Sequence, residues 1–200
     1  MCRKVFLSLI ILILLPHLEF SLSARTKAPA YSMQRRSTAR NPDGSYSLVA
    51  AEFVFVSSDG RVHNVQKAGD QVLNEMFYFP DKGRFVVDHK NKRIVKEAPP
   101  SQQQCPIRTP EYYTSNQNFL EQAVVLGIKA YVFRFVYNDP KNGTMFRDIY
   151  YAPEVGCSAL KAVFYKDGYI ERMTEVVALD LKEPDASAFK MPDYPLIEKQ

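Results

Sequence analysis

The feature that most constrains this chain is a regular succession of short runs rich in Val, Phe and Tyr, separated by turn residues. Steps such as Asp59-Gly60 and Asp167-Gly168 tolerate positive φ, so the chain can reverse tightly and pair antiparallel neighbours. The pattern therefore predicts a mainly β (α+β) fold built from hairpins in series. We expect strands over residues 48–56, 61–67, 72–79, 85–87, 93–96, 129–137, 145–151, 157–165 and 169–181.

Residues 97–118 interrupt this pattern. Prolines such as Pro99 and Pro106 do not fit a central strand, so we interpret the segment as a long crossover. The spacing of apolar residues just beyond it predicts a short helix around 115–122, followed by a strand from about residue 128.

The first 23 residues have the anatomy of a secretory signal peptide. Arg3 and Lys4 precede an apolar run over residues 5–15, and small residues follow at 21–24. That run is shorter than the roughly 20 apolar residues that span a bilayer. We therefore expect cleavage after Ser23 or Ala24 and a secreted, extracellular mature protein without a transmembrane segment.

Basic side chains crowd residues 25–40, where no acidic residue occurs. We expect a disordered arm over 24–46, a curved-sheet domain over 47–195 and a tail over 196–200. Two roles for the arm stay open, namely contact with an anionic surface and proteolytic processing at Arg35-Arg36. The basic residues of the arm are Arg25, Lys27, Arg35, Arg36 and Arg40.

The overall charge argues against a nucleic-acid partner. Removing residues 1–23 lowers the formal net charge only from +4 to +3, because Arg3, Lys4 and Glu19 leave together. Proteins that bind nucleic acid through their backbone phosphates carry a stronger basic excess.

Two cysteines remain after signal-peptide removal, Cys105 and Cys157. In a secreted chain two such cysteines are expected to form a disulfide, and neither has a second Cys or His at zinc-ligand spacing. The tripeptide Asn142-Gly143-Thr144 is a glycosylation sequon between two predicted strands, so it predicts a glycan on a surface turn.

Alternation within the strands predicts faces that must be buried. Phe133 and Phe135 share one face of their strand, while Phe53 and Phe55 share one face of the first predicted strand. A single sheet curled over a helix or over a ligand would bury such faces. Aromatic residues that only fill a core have the same pattern, and this interpretation stays open beside the first.

A family resemblance rests on the C-terminal part of the chain. It is carried by Asp148-Ile149-Tyr150-Tyr151, Gly156-Cys157, Asp167-Gly168, the long last strand, and residues 183–189 followed by Pro192. With these motifs the chain resembles secreted half-barrel proteins, namely the ependymin-related family and, more distantly, bacterial lipoprotein-carrier (LolA-like) proteins. The resemblance implies a strongly curved antiparallel sheet with one or two short helices, a hydrophobic cavity, and a carrier or binding role.

The resulting hypothesis is a binding protein that holds a lipid or another hydrophobic ligand on the concave face of its sheet. The alternative is an extracellular interaction or matrix-associated protein with a fully packed core. For the first hypothesis, the predicted lining residues are Phe53, Phe55, Phe77, Phe133, Phe135 and Met173.

The sequence predicts no enzyme, cofactor or metal site. The mature chain has only His63 and His89, and neither lies in a two-histidine metal spacing or beside a nucleophile motif. Asp88 precedes His89, yet neighbouring residues of a strand point to opposite faces, so an acid-base pair is not expected.

Overall fold

The computed structural model describes residues 29–98, 109–139, 143–156 and 158–198. These form one 12-stranded sheet in the order β12-β6-β5-β4-β3-β2-β1-β11-β10-β9-β8-β7, with one short α-helix. The strands are β1 (Tyr31–Arg40), β2 (Tyr46–Val56), β3 (Val62–Ala68), β4 (Gln71–Phe79), β5 (Gly83–Asp88), β6 (Arg93–Glu97), β7 (Phe119–Val125), β8 (Ile128–Asp139), β9 (Gly143–Tyr151), β10 (Ala159–Lys166), β11 (Tyr169–Asp180) and β12 (Leu196–Glu198), and the helix is α1 (Pro110–Thr114). The mainly β prediction is confirmed, and the sheet is open and curved as in a half-barrel.

Strand β1 lies in the middle of this sheet and joins two series of hairpins. It pairs with β2 on one side and with β11 on the other, both antiparallel. The series β2 to β6 and the series β7 to β11 therefore share one sheet only through β1.

The prediction of a disordered arm over 24–46 is wrong for the residues of β1. The reason is that the acids that balance its arginines lie on the neighbouring strands. Arg35 pairs with Glu52 of β2 at 3.0 Å, and Arg36 pairs with Glu175 of β11 at 2.6 Å. A count of charges over neighbouring residues does not include these partners, because they lie far away in the sequence.

The same pairing changes the predicted roles of the arm. Arg35 and Arg36 are held in ion pairs, and the guanidinium of Arg40 lies 4.5 Å from the ring centroid of Tyr169. Proteolytic cleavage at Arg35-Arg36 would require β1 to leave the sheet, since both of its edges are hydrogen-bonded.

The predicted hairpins are confirmed, whereas the helix around 115–122 is wrong. Residues from Phe119 onward form β7, which pairs with β8 through a two-residue turn at Leu126 and Gly127. Both turn residues have positive φ, 51° and 79°, which is the geometry of a tight hairpin turn. Leucine rarely takes that conformation, so the turn gave no signal in the sequence. The helix lies earlier, at α1, with Pro110 in its first turn.

The C-terminal segment returns to the sheet after the last long strand. A 3-10 turn over Ala186–Phe189 begins where Asp185 accepts a hydrogen bond from the Ser187 amide, and Phe189 is buried. Beyond it, β12 pairs in parallel with β6, so residues 196–198 of the predicted tail form a strand of the sheet.

Two clusters of buried apolar side chains stabilise the sheet. One lies around β1 and contains Tyr31 and Met33, each 3% exposed. The other lies on β4, β5 and β6 around Phe77, with Met191 and Tyr194 of the C-terminal segment packed against it. The two clusters stabilise opposite halves of the sheet.

Several predictions fall outside the described residues. These are the signal peptide, the proposed Cys105–Cys157 disulfide, glycosylation of Asn142, and the basic residues Arg25 and Lys27. Within the described ranges, no helix is long and apolar enough to cross a membrane.

Candidate functional site

The register of the strands shows which side chains share a face of the sheet, because directly paired antiparallel residues point to the same side. We call the side that carries Arg35 and Ser37 of β1 the inner face, and the other side the outer face. The inner face continues across six adjacent strands through Ala50, Ser37, Thr174, Ala162, Ile149 and Phe133.

A groove of about 490 Å³ lies on the inner face. Its lining comes from seven adjacent strands, from β4 through β3, β2, β1, β11 and β10 to β9. In a flat sheet, seven strands would spread over about 29 Å at a spacing of about 4.8 Å. Side chains so far apart reach one groove of this size only because the sheet curves around it, so the inner face is concave.

The groove is lined by six apolar and seven polar residues. They are Val49, Ala50, Leu73, Ala159, Ala162 and Phe164, with Arg35, Ser37, Glu52, Gln66, Arg147, Arg172 and Thr174. The hydrophobic cavity that the resemblance implied is therefore only partly apolar, because polar side chains of the central strands also point inward.

Hydrogen bonds organise the polar part of the groove. Arg35 donates to Glu52 Oε2 at 3.0 Å, and Asn64 Nδ2 donates to Glu52 Oε1 at 2.6 Å. The Ser37 and Thr174 hydroxyls lie 2.8 Å apart across the β1–β11 pair. Both oxygens of the Glu52 carboxylate have partners, which fixes its orientation in the groove wall.

None of the six residues predicted to line the site lines this groove. Phe133 and Phe135 do lie on the inner face, but Phe133 is only 6% exposed, and its ring packs beside Tyr113 of α1 and Tyr151. The other four, by register, lie on the outer face: Phe53, Phe55, Phe77 and Met173.

The sequence-based prediction missed the groove because it followed the aromatic faces. Phe53 and Phe55 are one position out of phase with the inner-facing Glu52, and they line a separate cavity of about 240 Å³. The groove instead lies over small residues such as Ala50 and Ala162, which leave space on a strand where larger side chains would fill it. The sequence feature that could have indicated the groove was the presence of alanine at inner-facing positions of the strands.

The two histidines meet on the outer face rather than in the groove. His63 Nε2 lies 2.8 Å from one oxygen of Glu75, and His89 Nε2 lies 2.6 Å from the other. The His63 ring also stacks on Phe77, with the ring centroids 4.1 Å apart. Within the described ranges no group of His, Cys, Asp and Glu side chains is arranged to hold a metal ion.

This histidine pair makes Glu75 a contributor to acid sensitivity. Hydrogen bonds from His63 and, more weakly, His89 lower the pKa of Glu75 from its usual value of 4.5, against the opposing effect of burial. A carboxyl with a lowered pKa stabilises the fold above its unfolded-state pKa, and this stabilisation is lost as the pH falls through the folded-state pKa. We expect Glu75→Gln to flatten the loss of stability below about pH 4.5.

The measurement is the urea midpoint of unfolding at several pH values between about 7 and 3. The control is Glu154→Gln, which removes an exposed carboxylate. Equal slopes of midpoint against pH for wild type and Glu75→Gln would contradict this role.

Comparisons with known proteins give fold similarities only. No protein-family model and no curated protein matches the chain. Similar solved structures include a MucA/MucB complex of Pseudomonas aeruginosa (16% identity, TM-score 0.48, 82% of this chain and 56% of that one) and an uncharacterized conserved protein of Thermus thermophilus (11%, 0.48, 86% and 91%). A putative outer membrane lipoprotein-sorting protein domain of Vibrio parahaemolyticus is similar at 9% identity and TM-score 0.31, over 80% of this chain and 88% of that domain.

The chain spans 56% of the chain it matches in the MucA/MucB complex, and every TM-score given is below 0.5, so none of these similarities assigns a ligand or partner. The structures found include a lipoprotein-sorting domain, while no comparison supports the ependymin-related resemblance. The chain is accordingly a mainly β protein with one curved, open sheet and a groove on its concave face.

Proposed function

We propose that the mature protein is a secreted, non-enzymatic binding protein that holds a lipid or another apolar molecule with a polar end in the inner-face groove. The observation that carries this proposal is the groove itself. Its volume of about 490 Å³ lies within the range of roughly 300 to 1,000 Å³ that is usual for small-molecule sites.

The composition of the groove suits an amphipathic molecule. Val49 and Leu73 are 40% and 50% exposed, so apolar side chains face open space at the β2 and β4 part of the groove. Covering such surface is favourable by about 25 cal/mol for each Å² removed from water. The polar residues of β1, β9 and β11 offer hydrogen bonds to the other end of the same molecule.

The direct test is extraction of the purified mature chain with organic solvent, followed by mass spectrometry of the extract. We expect a lipid or other apolar compound at close to one molecule per chain. A clean extract, together with no fluorescence gain from an added apolar dye, would contradict the proposal and favour the alternative of an extracellular interaction protein.

A variant that fills the groove links binding to this site. Ala159→Phe places a ring in the groove, since Ala159 is part of its lining and only partly buried. We expect ligand loading to fall about tenfold or more, because the ring takes up volume that the ligand needs. Ligand content per chain, measured on the same extract, checks this expectation.

The control is Val136→Phe, which adds the same ring at a position that is 61% exposed on the outer face. Thermal melting verifies that both variants are folded. Unchanged loading in folded Ala159→Phe would place the ligand elsewhere.

A further inference from the structure

We propose that the inner-face groove recognises an anionic headgroup, a carboxylate or a phosphate, through Arg147 and Arg172. This inference rests on the proposed function and names the class of its ligand, an amphiphile with one acidic end. The two arginines lie close together on the groove wall, and among the described residues no acid pairs with either of them.

The two arginines lie in one row across the concave face. Arg147 of β9 is paired with Phe164 of β10, and Phe164 is paired with Arg172 of β11. Phe135 of β8 extends the row on the far side of Arg147. At about 4.8 Å between strands, the Cα atoms of the two arginines are separated by roughly 10 Å. Two arginine side chains are long enough to contact one headgroup from that separation.

Phe164 holds the first arginine in place. The Arg147 guanidinium carbon lies 4.6 Å from the centroid of the Phe164 ring, and both residues line the groove. The Arg147 Nε is buried and has no hydrogen-bond partner in the described part of the chain. A donor that is removed from water without an acceptor is unfavourable, so the described protein residues leave part of this guanidinium's hydrogen-bonding capacity unused.

Acidic partners are found for other arginines but not for this pair. On the outer face, Arg134 makes two hydrogen bonds of 2.7 Å to Asp148, and Arg36 pairs with Glu175 at 2.6 Å. Among the described residues, neither Arg147 nor Arg172 has an acidic partner within ion-pair distance.

The single carboxylate that lines the groove is also occupied. Glu52 is bound by Arg35 and Asn64, which leaves the charge of Arg147 and Arg172 uncompensated. Planar guanidinium groups bind carboxylate and phosphate with two donors, and such charge-assisted bonds are stronger than neutral ones. The groove therefore offers a cationic row over an aromatic ring, next to apolar surface.

The test compares ligands that share a tail and differ in the headgroup. The probes are oleate, 1-oleoyl lysophosphatidate and oleyl alcohol, with inorganic phosphate as the free anion, and the measurement is isothermal titration calorimetry on the delipidated mature chain. We expect the two anionic lipids to bind about tenfold or more tightly than oleyl alcohol, and free phosphate to bind far more weakly than lysophosphatidate. Added salt should weaken the binding of the two anionic lipids and leave the binding of oleyl alcohol unchanged.

The variant is Arg147→Gln/Arg172→Gln, and its matched control is Lys90→Gln/Lys190→Gln, which removes the same charge from two exposed positions outside the groove. We expect the arginine variant to bind oleate about as weakly as oleyl alcohol, whereas the lysine control keeps the preference. Arg172→Gln alone, at an exposed position, keeps the test interpretable if the double variant is unstable.

The outcomes separate this inference from the proposed function. Equal binding of oleate and oleyl alcohol, or an unchanged preference in a folded arginine variant, would overturn the headgroup assignment and leave the groove as a site for apolar molecules. If free phosphate bound as tightly as lysophosphatidate, the inference that the ligand is an amphiphile would be overturned. Failure of all three lipids to bind would overturn the proposed function and this inference with it.

Discussion

Deleting residues 29–40 is expected to abolish cooperative unfolding of the chain, although the deleted segment carries Arg35, Arg36 and Arg40 and no acidic residue. Strand β1 hydrogen-bonds to β2 on one edge and to β11 on the other, and it is the element that joins the two series of hairpins. Its removal would expose two long strand edges and open the apolar cluster around Met33. The measurement is thermal unfolding by circular dichroism, with binding of an apolar dye to report exposed core.

The matched control for this deletion is a chain that begins at residue 29, just before β1. We expect it to melt cooperatively and within a few degrees of the chain that begins at residue 24, because β1 and its partners are intact. A second variant, Met33→Asp, keeps the length of the chain and places a charge at a position that is 3% exposed. We expect it to unfold the protein as well, since an unpaired buried charge is strongly unfavourable. Cooperative melting of the chain that lacks residues 29–40 would contradict the central role of β1.

The second large effect is expected for Phe77→Ala. Phe77 is 1% exposed, and its ring stacks between the rings of His63 and Phe79, with centroids at 4.1 and 6.4 Å. Truncation of such a residue removes favourable burial and leaves a cavity, with a loss of about 3 to 5 kcal/mol in the free energy of unfolding. For a chain of this size that loss lowers Tm by roughly 10 °C.

The control for Phe77→Ala is Val136→Ala, at a position that is 61% exposed, and for it we expect almost no change in Tm. The comparison also separates core from ligand contact. Phe77 lies on the outer face, away from the groove, so folded Phe77→Ala should bind ligand with unchanged affinity below its melting temperature. A drop in affinity without a drop in stability would show that Phe77 belongs to a binding site after all.

Local patterns in the sequence predicted the hairpins because each of these depends on neighbouring residues. Turn chemistry such as Asp167-Gly168 and β-prone runs on both sides of it are both local, and the strands β8 to β11 follow from them. The turn at Leu126 and Gly127 was missed because a leucine with positive φ is tolerated there only through the pairing of β7 with β8.

The position of β1 depended on partners far away in the chain. Arg35 is stabilised by Glu52 and Arg36 by Glu175, 139 residues further along. A run of basic residues is interpreted as a solvated arm when only its neighbours in sequence are considered. Register, which is set by the whole sheet, places the two acids opposite these arginines.

The residues of the candidate site could not be predicted from the sequence. Alternation correctly placed Phe133 and Phe135 on one face, yet it gave no way to tell the concave from the convex side. That distinction depends on the curvature of twelve strands together. The concave side carries the groove, and its lining includes small and polar residues such as Ala162 and Arg147, whereas the sequence predicted aromatic residues.

Photo-crosslinking with a diazirine-bearing fatty acid tests the central claim most directly, because it reports where a bound molecule lies. After irradiation of the purified chain, the labelled peptides are identified by mass spectrometry. We predict labelling chiefly in residues 159–166, which line the groove and neither of the cavities beside Phe55, and loss of that labelling in Ala159→Phe. Labelling confined to residues 178–188, which line the cavities beside Phe55 and not the groove, or spread evenly over the surface, would contradict the claim that the concave groove is the binding site.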